Sequence, residues 1–373
     1  MTRFPFTRIV RELPATTPFV GPEAIERERG EPFRLRVGAN ESAFGISPRA
    51  REAMRTAIEH VSWYNDPEGW DLRSAVAHRH GVSVDEICLG AGIDDLLGLV
   101  VRMSVEPGTP VVTSLGAYPT FNYHVSGYGG ELHRVSYRDD RIDLEALAAK
   151  ASEVRAPLVF LANPDNPMGT WHDAAAVRTF IDALPEACLL ILDEAYVEFA
   201  PESSGLPVAT DDPRVIRMRT FSKAHGMAGA RIGYAVAHTA IIEAFNKIRL
   251  HFGVNRIAQA GALASLEDPD FVAWVVEEVR KGREDYYALA EDLGLRALTS
   301  ATNFVAIDAG DGARARTLLA ALRDRGVFVR MPGVAPLERC IRVTVGTGAE
   351  RAQFAEILTS VVRSGNISGN TLA

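Results

Sequence analysis

The sequence has few cysteines, no long apolar run and no block of basic residues, and each absence excludes a class of protein. Its three cysteines, Cys88, Cys188 and Cys340, are widely spaced and lie in apolar segments. This spacing fits neither a disulfide framework nor a CxxC metal site, so we expect buried thiols in a reducing cytoplasm. The chain has no run of about 18 apolar residues, and its first residues, MTRFPFTRIVRELP, lack the apolar core of a secretory signal. We therefore expect no membrane partner.

The charge balance excludes another class. The chain carries 48 acidic and 40 basic side chains, for a formal net charge of -8. Because nucleic-acid binding normally requires a basic face, and no cluster of Lys and Arg supplies one, we expect no nucleic-acid partner.

Short apolar runs alternate with helix-like segments through the first two thirds of the chain. Each run is too short for a buried helix and is rich in Val, Ile and Leu, which is typical of strands covered on both faces. Strands that alternate with helices predict a mainly parallel, helix-flanked α/β sheet with right-handed crossovers. The predicted strands are 86–90, 110–115, 158–163, 188–194, 215–221 and 233–237.

The pattern changes after about residue 265. Residues 268–294 are charged and amphipathic and predict one connecting helix, and behind it the strand-like pieces NFVAID, GVFVRM and CIRVTVG predict a smaller α+β domain. We expect an N-terminal arm over 1–40 that joins the small domain, a large domain over 41–267, and the connecting helix with the small domain over 268–373.

Polar residues cluster where the predicted strands end. In open parallel sheets, ligands bind beyond the carboxyl ends of the strands, so polar groups after four different strands predict one shared site. Any one of them alone is also explained by an ordinary turn. The groups are the turn GAGID over 90–94, the residues Asn163, Asp165 and Asn166, the pair Asp193 and Glu194, and the segment from Thr220 to Lys223.

Two of these groups favour a bound phosphate. The turn that contains Gly92, Ile93 and Asp94 enters a helix, whose first backbone N–H groups form an anion seat, although such turns are often only structural. Thr220 and Ser222 lie two residues apart, so their hydroxyls face the same way in an extended segment. Arg231 adds a guanidinium suited to phosphate.

Two further residues suggest what the phosphate belongs to. Asp193 ends a fully apolar strand and needs a cationic partner, for which a protonated pyridine nitrogen is one candidate. Lys223 taken alone is consistent with a surface lysine, but in a desolvated pocket its pKa falls and the amine becomes a nucleophile able to form a Schiff base. An amine, a carboxylate and a phosphate seat are the protein groups that pyridoxal phosphate requires.

Four motifs resemble those of the class I/II aminotransferases of fold type I, in the same order and over nearly the whole chain: ANPDNPMGT, LDEAYVEF, TFSKAHGMAGARIGY and IRVTVGT. The resemblance implies that Lys223 binds pyridoxal 5'-phosphate as a Schiff base and moves the proton between substrate and cofactor. It also implies that Asp193 pairs with the pyridinium nitrogen, and that Tyr196 and Asn166 hydrogen-bond the phenolic oxygen.

The same resemblance assigns the remaining cofactor and substrate contacts. Phe121, in YPTFNYH, matches the aromatic residue that stacks on the cofactor ring, and Arg342 matches the arginine that binds the substrate α-carboxylate. The implied phosphate contacts are Thr220, Ser222, Arg231 and the backbone around Gly92, Ile93 and Asp94.

Within this superfamily, the histidinol-phosphate aminotransferases are the most similar group. GANESAFGISP over 38–48 resembles their N-terminal segment and puts Asn40 among the substrate-binding residues. Tyr64 matches a tyrosine that reaches the partner subunit's cofactor phosphate, which implies a homodimer with shared sites. Arg330 matches an arginine that contacts the substrate phosphate. The implied reaction converts L-histidinol phosphate and 2-oxoglutarate into imidazole acetol phosphate and glutamate.

One departure keeps other functions open. Phe19 stands where that group usually has a tyrosine, and the missing hydroxyl removes a hydrogen bond worth about 1.5–3 kcal/mol to a substrate phosphate. Transamination of aromatic amino acids and decarboxylation of a phosphorylated amino acid are the alternatives within the fold. A cofactor-binding regulatory module is the third possibility, but such modules typically lack the lysine or carry an added DNA-binding domain.

Overall fold

The computed structural model describes residues 4–15 and 20–364. The helices there are α1 Arg8–Glu12, α2 Pro22–Arg29, α3 Pro48–Ile58, α4 Trp70–His80, α5 Ile93–Ser104, α6 Pro119–Gly127, α7 Leu144–Glu153, α8 Ala174–Ala183, α9 Thr239–Asn246, α10 Arg256–Leu266, α11 Pro269–Asp292, α12 Gly312–Asp324 and α13 Gly348–Arg363. The strands are β1 Leu35–Arg36, β2 Ile87–Gly90, β3 Pro110–Ser114, β4 Glu131–Val135, β5 Tyr137–Arg138, β6 Arg141–Ile142, β7 Leu158–Ala162, β8 Leu189–Asp193, β9 Val215–Thr220, β10 Gly233–Val236, β11 Arg296–Ala297, β12 Phe304–Asp308, β13 Val327–Phe328 and β14 Cys340–Thr344.

The predicted mainly parallel sheet is confirmed. Within the described residues, seven strands pair in the order β2-β10-β9-β8-β7-β3-β4. Strands β9 to β4 pair in parallel, whereas β10 is antiparallel to both of its neighbours. All six predicted strands belong to this sheet. The edge strand β4 was not predicted from the sequence, because Val135 is its one buried residue and it therefore shows no apolar run.

The central strand β7 is apolar at every position, and β8 at every position before Asp193, because helices cover both faces of the sheet. Leu158 and Phe160 of β7 pack into one core with α5, α6 and α9, whereas Val159 and Leu161 pack into the other core with α7 and α8. The carboxyl ends of β7, β8 and β9 consequently lie side by side, with Ala162 opposite Asp193 and Asp193 opposite Met218. This edge of the sheet positions the candidate site.

The chain after residue 268 builds a separate core. The single helix α11 packs on an antiparallel sheet of β11, β12 and β14 with α12 and α13. Within the segment GVFVRM, the strand β13 pairs in parallel with β1 and not with that sheet. Further along, Arg330 makes an isolated bridge to Arg342 of β14. Among the helices described here, none is long and apolar enough to cross a bilayer.

Candidate active site

A cavity of about 700 Å³ lies at the carboxyl edge of the seven-stranded sheet, between that edge and the segment 330–334. Most of the side chains predicted for the site line this cavity. They are Asn40, Ile93, Asp94, Asn166, Asp193, Tyr196, Thr220, Ser222, Lys223, Arg231, Arg330 and Arg342. Residues at or after the ends of β2, β7, β8 and β9 therefore line one cavity together with Arg330 and Arg342.

The structure contradicts the role predicted for Phe121. Its side chain has no exposed surface and stacks on Phe160 inside the core, with ring centroids 4.6 Å apart. A fully buried ring cannot stack on a ligand in the cavity, whereas Tyr118, directly before Pro119 at the start of α6, lines it. The prediction for Phe121 is wrong because the sequence does not show which of the two aromatic side chains faces the core and which faces the cavity.

Tyr64 and Gly92 are not among the residues that line the cavity. Tyr64 is 79 % exposed and packs its ring on Phe252, with centroids 4.6 Å apart, so within one chain it does not contact the site. Phe19 lies outside the described residues.

Lys223 follows the end of β9 in a tightly packed turn. Gly226 has a φ of +72°, and a Cβ there would lie 1.8 Å from the carbonyl oxygen of Gly45, which explains the small residues after the lysine. The Lys223 amine donates a hydrogen bond to the carbonyl oxygen of Asn40 at 3.1 Å and lies 5.5 Å from the centre of the Tyr196 ring. Burial, together with the positive charge of Arg342, lowers the pKa of Lys223 to about 8. Roughly a tenth of the amine is therefore unprotonated at pH 7, against less than about a thousandth for an ordinary lysine.

Asp193 presents a buried carboxylate on the floor of the cavity. One oxygen accepts the backbone N–H of Ala195 at 3.0 Å, and in the described part of the chain no Lys or Arg lies within ion-pair distance. Burial raises the pKa of Asp193 to about 7. Its neighbour Glu194, in contrast, is paired with Arg217 and Arg219 beneath the site. Asp193 therefore favours a cationic ligand group.

Asn40 and Tyr196 form a fixed wall beside the lysine. The Asn40 side-chain amide donates to the Tyr196 hydroxyl at 2.9 Å, and its backbone N–H donates to Thr344 Oγ1 at 3.0 Å. Asn303 donates to the same carbonyl oxygen that accepts the Lys223 amine, at 3.1 Å. Because each partner is buried or half-buried, this network holds the direction in which the lysine points.

The groups predicted to bind a phosphate lie around the start of α5. Gly92 has a φ of +82°, and a Cβ there would lie 2.3 Å from Arg231 Nη2, so only glycine lets this guanidinium approach the helix N-terminus. Arg231 also lies 3.5 Å from Ser222 Oγ and 3.4 Å from the Asp94 carboxylate. Thr220 Oγ1 accepts the Ser222 backbone N–H at 3.0 Å. Backbone N–H groups, hydroxyls and a guanidinium therefore face one corner of the cavity.

Two arginines line the opposite wall. Arg342 donates to the side-chain oxygen of Asn166 and to the carbonyl oxygen of Gly38, the latter at 3.3 Å. Arg330 donates to the carbonyl oxygen of Val20, and burial, with the neighbouring charge of Arg342, lowers its pKa to about 10. Two half-buried guanidinium groups on adjacent segments repel each other, so this wall favours an anionic ligand.

The cavity also contains residues that sequence reasoning missed. Tyr118, Glu41 and Arg134 line it. Arg134 lies on the edge strand β4, which shows no apolar pattern, so the sequence carried no signal for it. Tyr118 lies three residues before Phe121 and directly before the first residue of α6, Pro119. Its place at the start of a helix was the sequence signal for a side chain that faces the cavity.

The chain belongs to the class I and II aminotransferase family, whose model matches residues 34–360. Among its relatives are histidinol-phosphate aminotransferase 1 of Dechloromonas aromatica, 38 % identical over 90 % of this chain and 92 % of the relative, and histidinol-phosphate aminotransferase 2 of Carboxydothermus hydrogenoformans, 33 % identical over 91 % and 94 %. The crystal structure of histidinol-phosphate aminotransferase from Sinorhizobium meliloti, in complex with pyridoxal-5'-phosphate, is 50 % identical, with a TM-score of 0.94 over 97 % of this chain and 99 % of that one.

Proposed function

We propose that this chain is a pyridoxal-phosphate-dependent aminotransferase that transfers the amino group of L-histidinol phosphate to 2-oxoglutarate. One observation carries the proposal. A single cavity is lined by a buried amine, by a buried carboxylate that pairs with no Lys or Arg in the described part of the chain, and by the guanidinium groups of Arg330 and Arg342. The similarity to proteins named histidinol-phosphate aminotransferase, at up to 50 % identity, supports the choice of donor.

The residues present fit pyridoxal phosphate. Asp193 offers the charge that a pyridinium nitrogen needs. The corner formed by Gly92, Ser222 and Arg231 suits its phosphate, since the absence of a Cβ at Gly92 lets the Arg231 guanidinium lie against the start of α5. Asn166 and Tyr196 are the candidates for its phenolic oxygen, and Tyr118 replaces Phe121 as the candidate for its ring face. When bound, this group withdraws electrons from the substrate Cα and carries the amino group between two half-reactions.

The protein's own groups account for the proton transfers and for binding. With a pKa of about 8, Lys223 can release its own proton and would then move a proton between the substrate Cα and the bound cofactor. The network of Asn40 and Asn303 orients this amine. Arg342 can bind with two N–H groups either the α-carboxylate of 2-oxoglutarate or the phosphate of the donor, which has no α-carboxylate. Arg330, on the same wall, contacts the donor phosphate as well.

We also propose a homodimer in which Tyr64 reaches the partner's site. Its 79 % exposure and its position outside the chain's own cavity support that role.

The pairing of β1 with β13 supports an N-terminal arm over 1–40 joined to a small domain over 268–373, with a large domain over 41–267. The three cysteines are buried and free, which supports a cytoplasmic location.

The test is a product assay on protein reconstituted with pyridoxal phosphate. We expect glutamate to form from L-histidinol phosphate and 2-oxoglutarate, and Lys223→Ala to abolish it. Lys150→Ala, which removes a lysine paired with Glu153 on the surface, serves as the matched control and should keep wild-type activity. If glutamate formed only from phenylalanine or tyrosine, the amino donor would be an aromatic amino acid and not L-histidinol phosphate. If carbon dioxide were released from a phosphorylated amino acid, the reaction would be a decarboxylation.

A further inference from the structure

Four charged side chains beside the cavity link the turn between β5 and β6 to the sheet of β11, β12 and β14. Asp140 lies between β5 and β6, whereas Arg296, Asp308 and Arg339 belong to the sheet that contains β14 or its flanks. Arg296 Nη2 lies 2.8 Å from the Asp140 carboxylate and 2.9 Å from the Asp308 carboxylate. Arg339 binds the same two carboxylates, with 2.8 Å between its Nε and Asp308. We call these four residues the Asp140 cluster.

On one side, the cluster is tied to the loop that contains Asn166. The Thr170 hydroxyl donates to the carbonyl oxygen of Asp140 at 3.0 Å, and the backbone N–H of Asp165 donates to the carbonyl oxygen of Thr170 at 2.8 Å. Asn166 is the next residue along the chain. Asp140 is therefore connected to Asn166 by two hydrogen bonds and one peptide unit.

On the other side, the cluster is tied to the strand that contains Arg342. Arg339 directly precedes β14, and its carbonyl oxygen accepts the backbone N–H of Ala309 at 2.9 Å. Asp308 pairs in register with Cys340, and Ala306 pairs with Arg342. The position of Arg339 and Asp308 consequently fixes the end of the strand that leads into the cavity.

The hydrogen bond from Arg342 to Asn166 spans the same seam inside the cavity. A small apolar cluster that includes Met168, Leu337 and Cys340 fills the space along this seam. The Asp140 cluster is thus placed to hold Arg342 opposite Asn166 without contacting a ligand, since none of its four members lines the cavity.

The charges of the cluster depend on one another. Burial alone would raise the pKa of Asp140, but hydrogen bonds from Arg339 and Arg296 hold it below the ordinary value. The side chains of Asp140 and Asp308 are 17 % and 9 % exposed, so solvent compensates poorly for a lost partner. Without the Asp140 charge, two guanidinium groups would share Asp308 alone and repel each other.

We propose that Asp140 is a positioning residue for substrate binding, which aligns Arg342 with Asn166 through the Asp140 cluster. This inference rests on the proposed function, in which Arg342 binds the anionic group of both donor and acceptor. Loss of the Asp140 charge is then expected to weaken the binding of both substrates. Cofactor binding should be unchanged, because the Asn166 loop is held by the backbone carbonyl oxygen of Asp140, which Asp140→Asn keeps, and only the side-chain link to the strand of Arg342 is lost.

The test compares Asp140→Asn, Arg296→Gln and Glu145→Gln in reconstituted enzyme. Asparagine keeps the size of Asp140 and tolerates its left-handed φ of +63°. Arg296 is 61 % exposed, so its replacement decides the question if Asp140→Asn does not fold. Glu145→Gln is the matched control, because it removes one negative charge from the neighbouring segment. Glu145 is 84 % exposed and pairs with Arg138.

We expect the KM of both L-histidinol phosphate and 2-oxoglutarate to rise about tenfold in Asp140→Asn, since small misplacements of a positioning group have effects of this order. A smaller rise in Arg296→Gln and none in Glu145→Gln should accompany it, with kcat and the affinity for pyridoxal phosphate near wild type. Unchanged KM values, or a loss confined to kcat or cofactor affinity, would overturn the inference. The proposed function fails separately, if the wild-type enzyme itself forms no glutamate from L-histidinol phosphate.

Discussion

At the scale of single residues, the ionisation of Lys223 sets the pH at which the cofactor-free chain reacts with pyridoxal phosphate. Its pKa is lowered to about 8, so the reactive free amine increases through that pH instead of near 10.4, where an ordinary lysine titrates. We expect the second-order rate of cofactor uptake to rise with a midpoint near pH 8, as measured by stopped-flow absorbance.

The control for this pH profile is Nα-acetyl-lysine amide, which corrects for ionisation of pyridoxal phosphate itself. Lys223→Ala should remove the fast phase entirely. A rate that is flat across pH 8 and still rising at pH 10 would contradict the lowered pKa.

Arg330 is the residue proposed to distinguish phosphorylated donors. Hydrogen bonds to charged groups are worth about 1.5–3 kcal/mol, or roughly 10- to 100-fold in binding. We expect Arg330→Gln to raise the KM of L-histidinol phosphate by that factor while changing the KM of unphosphorylated amino acids much less. Arg138→Gln removes an exposed, ion-paired arginine outside the cavity and should have no such effect. Equal losses for both kinds of donor would remove Arg330 from this role.

At the scale of elements, the turn from β2 into α5 determines the phosphate seat. An alanine at Gly92 would place its Cβ 2.3 Å from Arg231 Nη2 in a left-handed conformation, so the guanidinium must move. We expect Gly92→Ala to raise the dissociation constant for pyridoxal phosphate about tenfold or more, because a charged contact worth at least 1.5 kcal/mol is displaced. Fluorescence titration of the cofactor-free protein measures it.

Gly81→Ala provides the matched comparison for Gly92→Ala. Gly81 has a φ of +68° at the end of α4, but nothing lies within 4 Å of its added Cβ. Gly81→Ala should lower the free energy of unfolding by about 1 kcal/mol through backbone strain alone and leave cofactor affinity unchanged. Equal cofactor affinities in the two variants would contradict the steric account of the seat.

Much of the site was predictable because parallel strands buried on both faces have a distinctive sequence pattern and end at one edge. Asp193 is the last residue of β8 and Thr220 is the last residue of β9. Predicting these two strands from the sequence therefore also predicted the positions of the two residues. The pattern failed where an element has little burial, as in β4, and where a choice depended on side-chain direction, as between Tyr118 and Phe121. The Asp140 cluster was beyond the sequence because it joins residues up to 199 positions apart.

At the scale of the whole molecule, an exposed apolar surface surrounds Tyr64. Trp63, Tyr64 and Leu250 are 68 %, 79 % and 75 % exposed, and Phe252 packs against Tyr64. Exposed apolar patches of this kind are typical of protein interfaces. We expect light scattering to give a mass about twice the 40.5 kDa of one chain.

Leu250→Asp tests whether this surface makes the dimer. A carboxylate at the interface is costly to bury, so the variant should become monomeric and bind pyridoxal phosphate more weakly, because Tyr64 of the partner would be lost from the site. Tyr64→Ala should weaken cofactor binding while remaining dimeric if that tyrosine acts across the interface. A monomeric wild-type enzyme with full activity would contradict both the interface and the shared site.

The central claim concerns the amino donor, and a single-turnover measurement tests it most directly. The reconstituted enzyme is mixed with L-histidinol phosphate, phenylalanine, tyrosine or glutamate in the absence of 2-oxoglutarate, and the change in cofactor absorbance is followed. We predict that L-histidinol phosphate reacts far faster than either aromatic amino acid and that glutamate also reacts, as the reverse of the second half-reaction. A reaction with phenylalanine or tyrosine as fast as that with L-histidinol phosphate would contradict the assignment of the donor.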